Sequence, residues 1–125
     1  MTRPILIADD DPVMIKLLEF HLRQHGFRVI ACRTGDAVLP LAREQQPTLA
    51  IIDYLLPGRN GLELLQDFRG DPDFAKLPLI VVTGQGRDST REALLAAGAC
   101  RVFTKPFSPT ILMESIRTMI EGAPS

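Results

Sequence analysis

The sequence has 125 residues, 46% of them hydrophobic and 23% charged, and a formal net charge of -1. That is chain enough for one buried core, with a balance that excludes the disordered class. Its 14 basic residues are scattered, so no nucleic-acid face is expected, and no apolar stretch is long enough to span a bilayer.

The first β-type run, "PILIA" at 4–8, leads straight into three carboxylates, Asp9, Asp10 and Asp11. Like charges at the end of a buried segment repel one another and resist desolvation. Asp11 precedes Pro12, and Asp followed by Pro makes a good N-cap and first helical residue. Asp11 is therefore read as a cap, which leaves Asp9 and Asp10 as a pair in need of a counter-charge. The helix that follows is predicted to bury Met14, Leu17, Leu18 and Leu22, widened by Val13 and Phe20, and to stop at Gly26. His21 and His25 are read as surface residues.

The second run, "RVIAC" at 28–32, ends at Arg33, which reads as ordinary surface. The helix predicted over about 35–45 contains Pro40, and an interior proline removes a hydrogen bond and clashes with the preceding turn. A kinked or late-starting helix is expected. The third run, at 48–53, delivers Asp53. A helix from Asn60 or Gly61 then ends at Gly70, with Asp71 and Asp73 as turn-formers. The fourth run, at 79–83, ends on Thr83, beside which Gly84 leaves room for a group to arrive. After a helix over about 88–97 comes the fifth run, "RVFT" at 101–104, followed by Lys105. The last helix, from Ser108 to about Glu121, carries Leu112, Ile116, Met119 and Ile120 on its core face, with Ile111 and Met113 off that stripe. The "EGAPS" tail is expected to fray. Cys32 and Cys100 form neither a disulfide framework nor a zinc site, and both are read as reduced packing residues. The N-terminus lacks the apolar core of a signal peptide, so a cytoplasmic location is expected.

Five alternations of strand and helix, with continuously apolar first, third and fourth runs, imply a doubly wound α/β sandwich around a parallel sheet. In such sheets ligands bind beyond the carboxyl ends of the strands. Asp9, Asp10, Asp53, Thr83 and Lys105 all stand there. Clustered carboxylates are tolerable only with a cation, and few hard oxygen ligands suit Mg²⁺, which bridges carboxylate to phosphate. Lys105 offers a point charge for a carboxylate or phosphoryl oxygen, and Thr83 a hydroxyl donor. Carboxylates, Mg²⁺ and lysine together are equipment for phosphoryl transfer onto an aspartate.

Four motifs in order, "ILIADDDP", "IIDYLLPGRNG", "VVTG" and "FTKPF", resemble the receiver domain of bacterial two-component response regulators over essentially the whole chain. The resemblance implies one receiver domain over 1–125, with a flavodoxin-like (βα)5 fold and sheet order 2-1-3-4-5. It implies a phosphorylation-activated switch that catalyses its own phosphorylation without being a turnover enzyme. Asp53 would be the phosphoacceptor. Asp10, Asp53 and the backbone carbonyl of Leu55 would hold Mg²⁺, with Asp9 acting mainly through water. Thr83 and Lys105 would bind phosphoryl oxygens, and the Lys105–Pro106 peptide would be cis. Implied partners are a sensor histidine kinase or phosphotransfer protein, and a downstream effector or output domain. A homodimer through the helix 4–strand 5–helix 5 face is possible, with no direct nucleic-acid or membrane contact. Both a stand-alone regulator and a receiver cut from a longer chain remain open.

Three positions depart from the family's pattern. The switch aromatic usual three residues before the lysine is Val102 here, with Phe103 one place later. Leu55 and Gln85 occupy the sites that tune water access in the family, and an apolar Leu55 predicts a long-lived phosphoryl group. Three other readings compete for the same residues. They are a docking module that takes no phosphate, an aspartate-based phosphohydrolase of the haloacid dehalogenase type, and a flavin-binding domain. The intact acid–lysine set argues against the first. The second wants a cap besides its DxDx(T/V) loop, and acids in place of a phosphate loop argue against the third.

Overall fold

The computed structural model describes residues 3–84 and 88–121. Five strands, β1 (Ile5–Ala8), β2 (Val29–Cys32), β3 (Leu49–Asp53), β4 (Leu79–Thr83) and β5 (Arg101–Thr104), pair in parallel in the order β2-β1-β3-β4-β5. The three continuously apolar runs are the three central strands, and every residue in them is buried. Edge strands β2 and β5 are only partly covered. This is what a sheet sandwiched between helices requires of its middle strands.

Side chains alternate across each strand, and so divide the core in two. Ile5, Ile7, Ile51 and Val82 face α1 (Pro12–Gln24) and α5 (Pro109–Glu121). Leu6, Ile52, Val81 and Val102 face α2 (Val38–Gln45), α3 (Gly61–Arg69) and α4 (Asp88–Ala96). Removing one such fully buried leucine or isoleucine side chain costs about 2–5 kcal/mol.

Local chemistry sets the helix ends. The Asp11 carboxylate accepts the Val13 N–H at 2.9 Å and Pro12 opens α1, as its sequence indicates. At the other end the Gly26 N–H bonds Arg23 O and the Phe27 N–H bonds Leu22 O, both at 3.0 Å, closing a Schellman motif around Gly26 at φ 86°. A 3-10 turn at Gly35–Ala37 precedes α2, which begins at Val38. Pro40 thus sits in the first α-helical turn, where its missing N–H costs nothing, and the helix starts late rather than kinking.

Four sequence readings are corrected. In α1 the buried residues are Ile15, Leu18 and Leu22, while Val13 (73% exposed), Leu17 (38%) and Phe20 (58%) face outward. This helix carries apolar residues on two faces, and packing against the sheet decides between them. In α5, Met113 is buried beside Leu112 and Ile116 because that helix meets α1 as well as the sheet. Cys100 is exposed on the turn into β5, whereas Cys32 is partly covered and burial pushes its thiol up to about 11. His21 is half-buried, in a cavity between α1 and α5, while His25 is exposed with its Nδ1 2.8 Å from the His21 carbonyl. Gln85 and the end of the "EGAPS" tail lie outside the described residues.

Candidate functional site

Strand register brings the polar residues together. Ala8 pairs with Ile52, so Asp9 and Asp53 leave adjacent strands at the same level. Asp53 in turn pairs with Val82, one residue before Thr83, and Thr83 pairs with Thr104, one residue before Lys105. The Lys105 N–H donates to Thr83 O at 2.8 Å, fixing the start of the cis Lys105–Pro106 peptide against the end of β4.

Carboxylate oxygens of Asp9, Asp10 and Asp53 all lie within 4.8 Å of one another. Asp9 and Asp53 are buried, at 3% and 8% exposure, while Asp10 is exposed. Lys105 Nζ stands 3.4 Å from Asp9 Oδ2 and 3.3 Å from Asp53 Oδ1. The other Asp9 oxygen accepts the Asp11 N–H at 2.9 Å. Thr83 is 1% exposed at the end of β4. Beside it the space at Gly84 is open, since a Cβ added there meets nothing within 4 Å.

Charge in this cluster is poorly balanced. Burial first, and then the neighbouring Asp9 charge, push the Asp53 carboxyl up to about 6 despite Lys105. Burial works against the Lys105 ammonium, but Asp53 and Asp9 outweigh it and hold that pKa above its ordinary value. Three carboxylates sharing one ammonium retain net negative charge on hard oxygen donors, and this fits a small divalent cation. Both Asp9 oxygens already have protein donors, so Asp10 and Asp53 are the better placed to touch such an ion.

The loop after Asp53 is held on several sides. The Gly61 N–H donates to Tyr54 O at 2.8 Å, and Asn60 and Glu63 form a reciprocal capping box at the start of α3. Arg59 grips Asp67 with two bonds of 2.7 and 2.9 Å. From the far side the Gly35 N–H donates to Pro57 O at 2.8 Å, and a Cβ on Gly35 would fall on the carbonyl oxygen of Arg59. Leu55, in this loop, leaves its side chain 63% exposed.

Two contributors escaped sequence reasoning. Arg33, read as surface, is exposed yet its Nη2 donates to the Asp10 carbonyl at 3.0 Å, steadying the acidic turn. Gly35 carried only one signal, its place in the turn after the second strand. The family's usual aromatic is likewise absent from the fold. Val102 is buried on the α4 side of the sheet, whereas Phe103 joins the α1/α5 core and packs near Phe107, with ring centroids 6.3 Å apart.

Comparison with known proteins gives the same picture. A sequence model of the response regulator receiver domain matches residues 5–117. The phosphate regulon transcriptional regulatory protein PhoB of Rhizobium meliloti is 35% identical over 98% of this chain and 54% of its own length. The chain spans about half the length of the curated relatives it matches. Among solved structures, the BeF3-activated N-terminal receiver domain of Klebsiella pneumoniae RstA is 26% identical, with a TM-score of 0.88 over 95% of this chain and 99% of that one. The receiver domain of sensor histidine kinase PA1611 from Pseudomonas aeruginosa, with magnesium coordinated in its active-site cleft, is 26% identical, with a TM-score of 0.87 over 98% of this chain and all of that one.

Proposed function

We propose, from the premise that this chain belongs to the response regulator receiver family, that it is a signalling switch which accepts a phosphoryl group on Asp53. One observation carries the reading: the Asp53 carboxylate lies 3.3 Å from Lys105 Nζ and within reach of Asp9 and Asp10 at the carboxyl edge of the sheet. A carboxylate oxygen of Asp53 attacks phosphorus, and the bond from phosphorus to the donor's imidazole nitrogen breaks with its electron pair leaving on the nitrogen. Lys105 and Thr83 take the phosphoryl oxygens, Lys105 by charge and Thr83 by its hydroxyl. Asp10, Asp53 and the Leu55 carbonyl would hold Mg²⁺, with Asp9 acting through water. The ion, when bound, neutralises charge on the phosphoryl oxygens.

The donor is a histidine kinase or phosphotransfer protein, in a cytoplasmic setting. Among the described residues no helix is long and apolar enough to cross a membrane. The added charge draws in Thr83 and Lys105 and biases the face formed by α4, β5 and α5 between two states. Leu95 of α4 and Ile111 of α5 are exposed, 40% and 56%, and offer apolar contacts to an effector, an output domain or a second copy.

Incubation with Mg²⁺ and acetyl phosphate followed by intact mass tests the reading. One phosphoryl adduct, lost in Asp53→Ala, is the expected result. Continuous release of phosphate without an adduct would replace the switch with a phosphohydrolase, and no reaction would leave a docking module.

A further inference from the structure

In the α4-side core the position where an aromatic would report on Thr83 is filled by Val102, 5% exposed and β-branched, with little rotamer freedom. Phe103 points to the opposite face of the sheet. Phe68 and Phe74 belong to the α4-side core, but they are stacked edge to face on each other at 5.3 Å. Tyr54 is the remaining aromatic of that core, and it directly follows Asp53. Its backbone is pinned, with the N–H donating to Val82 O and the carbonyl accepting from Gly61 N–H, both at 2.8 Å. Its side chain is half-buried against a cavity of about 180 Å³ between α3 and α4, whose other wall is Ser89, Thr90 and Ala93. Gly61 lets the ring lie there: a Cβ at that position would be 3.0 Å from Tyr54 Cα and 3.3 Å from its ring.

We infer that Tyr54 is the positioning residue that couples the phosphoryl site to α4, its ring turning within the α3–α4 cavity and pressing on Ser89, Thr90 and Ala93. Fixed main chain, a ring with space beside it and a helix forming the far wall make a two-position element. The helix is tied elsewhere, by Arg91 within it to the Val102 carbonyl at 3.0 Å and, in the turn just after it, by Arg69 to the Gly98 carbonyl at 2.7 Å. Pressure at Ser89 and Thr90 therefore tilts its N-terminal end about those anchors. The inference rests on Asp53 as phosphoacceptor.

The sequence holds one tyrosine and no tryptophan, so tyrosine emission reports Tyr54 alone. Mg²⁺ and beryllofluoride, a phosphoryl mimic, are added to the whole chain. Emission is expected to change in the wild type and not in Asp53→Asn. Hydrogen exchange over 88–96 responds to beryllofluoride in the wild type and in Tyr54→Phe, which keeps the ring. The response falls about fivefold in Tyr54→Leu, while ¹⁹F NMR shows beryllofluoride still bound. Ala93→Leu, which fills the cavity from the α4 side, blunts the response in the same way and decides the matter if Tyr54→Leu does not fold. An undiminished α4 response in these variants overturns the coupling, as does silent tyrosine emission while α4 responds. Failure of the wild type to bind beryllofluoride overturns the phosphoacceptor reading, and the coupling with it.

Discussion

Replacing Asp53 with asparagine is expected to stabilise the metal-free protein. In the folded state the carboxyl is held at about 6 rather than its ordinary 3.8. Above both values that difference costs the folded state about 3 kcal/mol. Asparagine keeps the shape and removes the charge, but it leaves Lys105 with only Asp9 as a carboxylate partner, which gives back about 1 kcal/mol. A net gain of about 2 kcal/mol is expected at pH 8 in EDTA. The sign follows from proton binding. Between pH 3.8 and about 6 the folded state binds the proton that the unfolded state has released. Stability from protonated Asp53 is therefore present at low pH and is lost as pH rises through that window. Urea titrations of both proteins at pH 4 and pH 8 measure the effect. The two should converge at pH 4 and separate at pH 8, and Mg²⁺ should then stabilise the wild type more than the variant by mass action. A variant no more stable than wild type at pH 8, or a difference independent of pH, would refute the reasoning.

With no polar group at Leu55 to orient a water, the acyl phosphate should survive for minutes or longer in Mg²⁺. A decay within seconds, followed by intact mass, contradicts this, and Leu55→Asn should shorten the lifetime. Asp11→Ala should lower stability by about 1 kcal/mol in urea through loss of the α1 cap, yet still take up phosphate. Asp10→Ala should do the reverse, weakening Mg²⁺ binding by calorimetry without lowering stability. Gly35→Ala drives a methyl group into the Arg59 carbonyl and should cost about 1–3 kcal/mol in the same titration.

What was legible in the sequence was what neighbouring residues decide among themselves. Asp11 and Pro12 set the start of α1 by contacts two residues apart, and the continuously apolar runs could only be central strands. Pro40 announced a fault in the second helix, though a kink and a late start give the same warning. The buried face of α1 was not legible, because Leu17 and Phe20 are as apolar as Ile15 and only the sheet chooses between them. Nor was the role of Arg33, whose partner lies 23 residues away across two strands. Gln46 closes α2 in the left-handed region, at φ 49°, with its carbonyl held by Arg3 at 2.9 Å. An ordinary residue in that conformation leaves no mark in the sequence.

The charge balance of the site explains why it needs this much support. At an effective dielectric of about 20, the two buried carboxylates, Asp9 and Asp53, repel by about 3–4 kcal/mol at the separation seen here, and Lys105 attracts each of them by about 5 kcal/mol. Lys105 therefore offsets the repulsion but not the desolvation of Asp53, and the carboxyl settles at about 6. Such a site holds its acids together only while the surrounding main chain is fixed. That is the work of the Asp11 N–H on Asp9, Arg33 on the Asp10 carbonyl, and the loop clamp at Gly35 and Arg59. Phosphorylation of Asp53 would add negative charge to the same spot. Movement is then least costly in a side chain with space beside it, and the Tyr54 ring, against the cavity whose far wall is α4, is such a place.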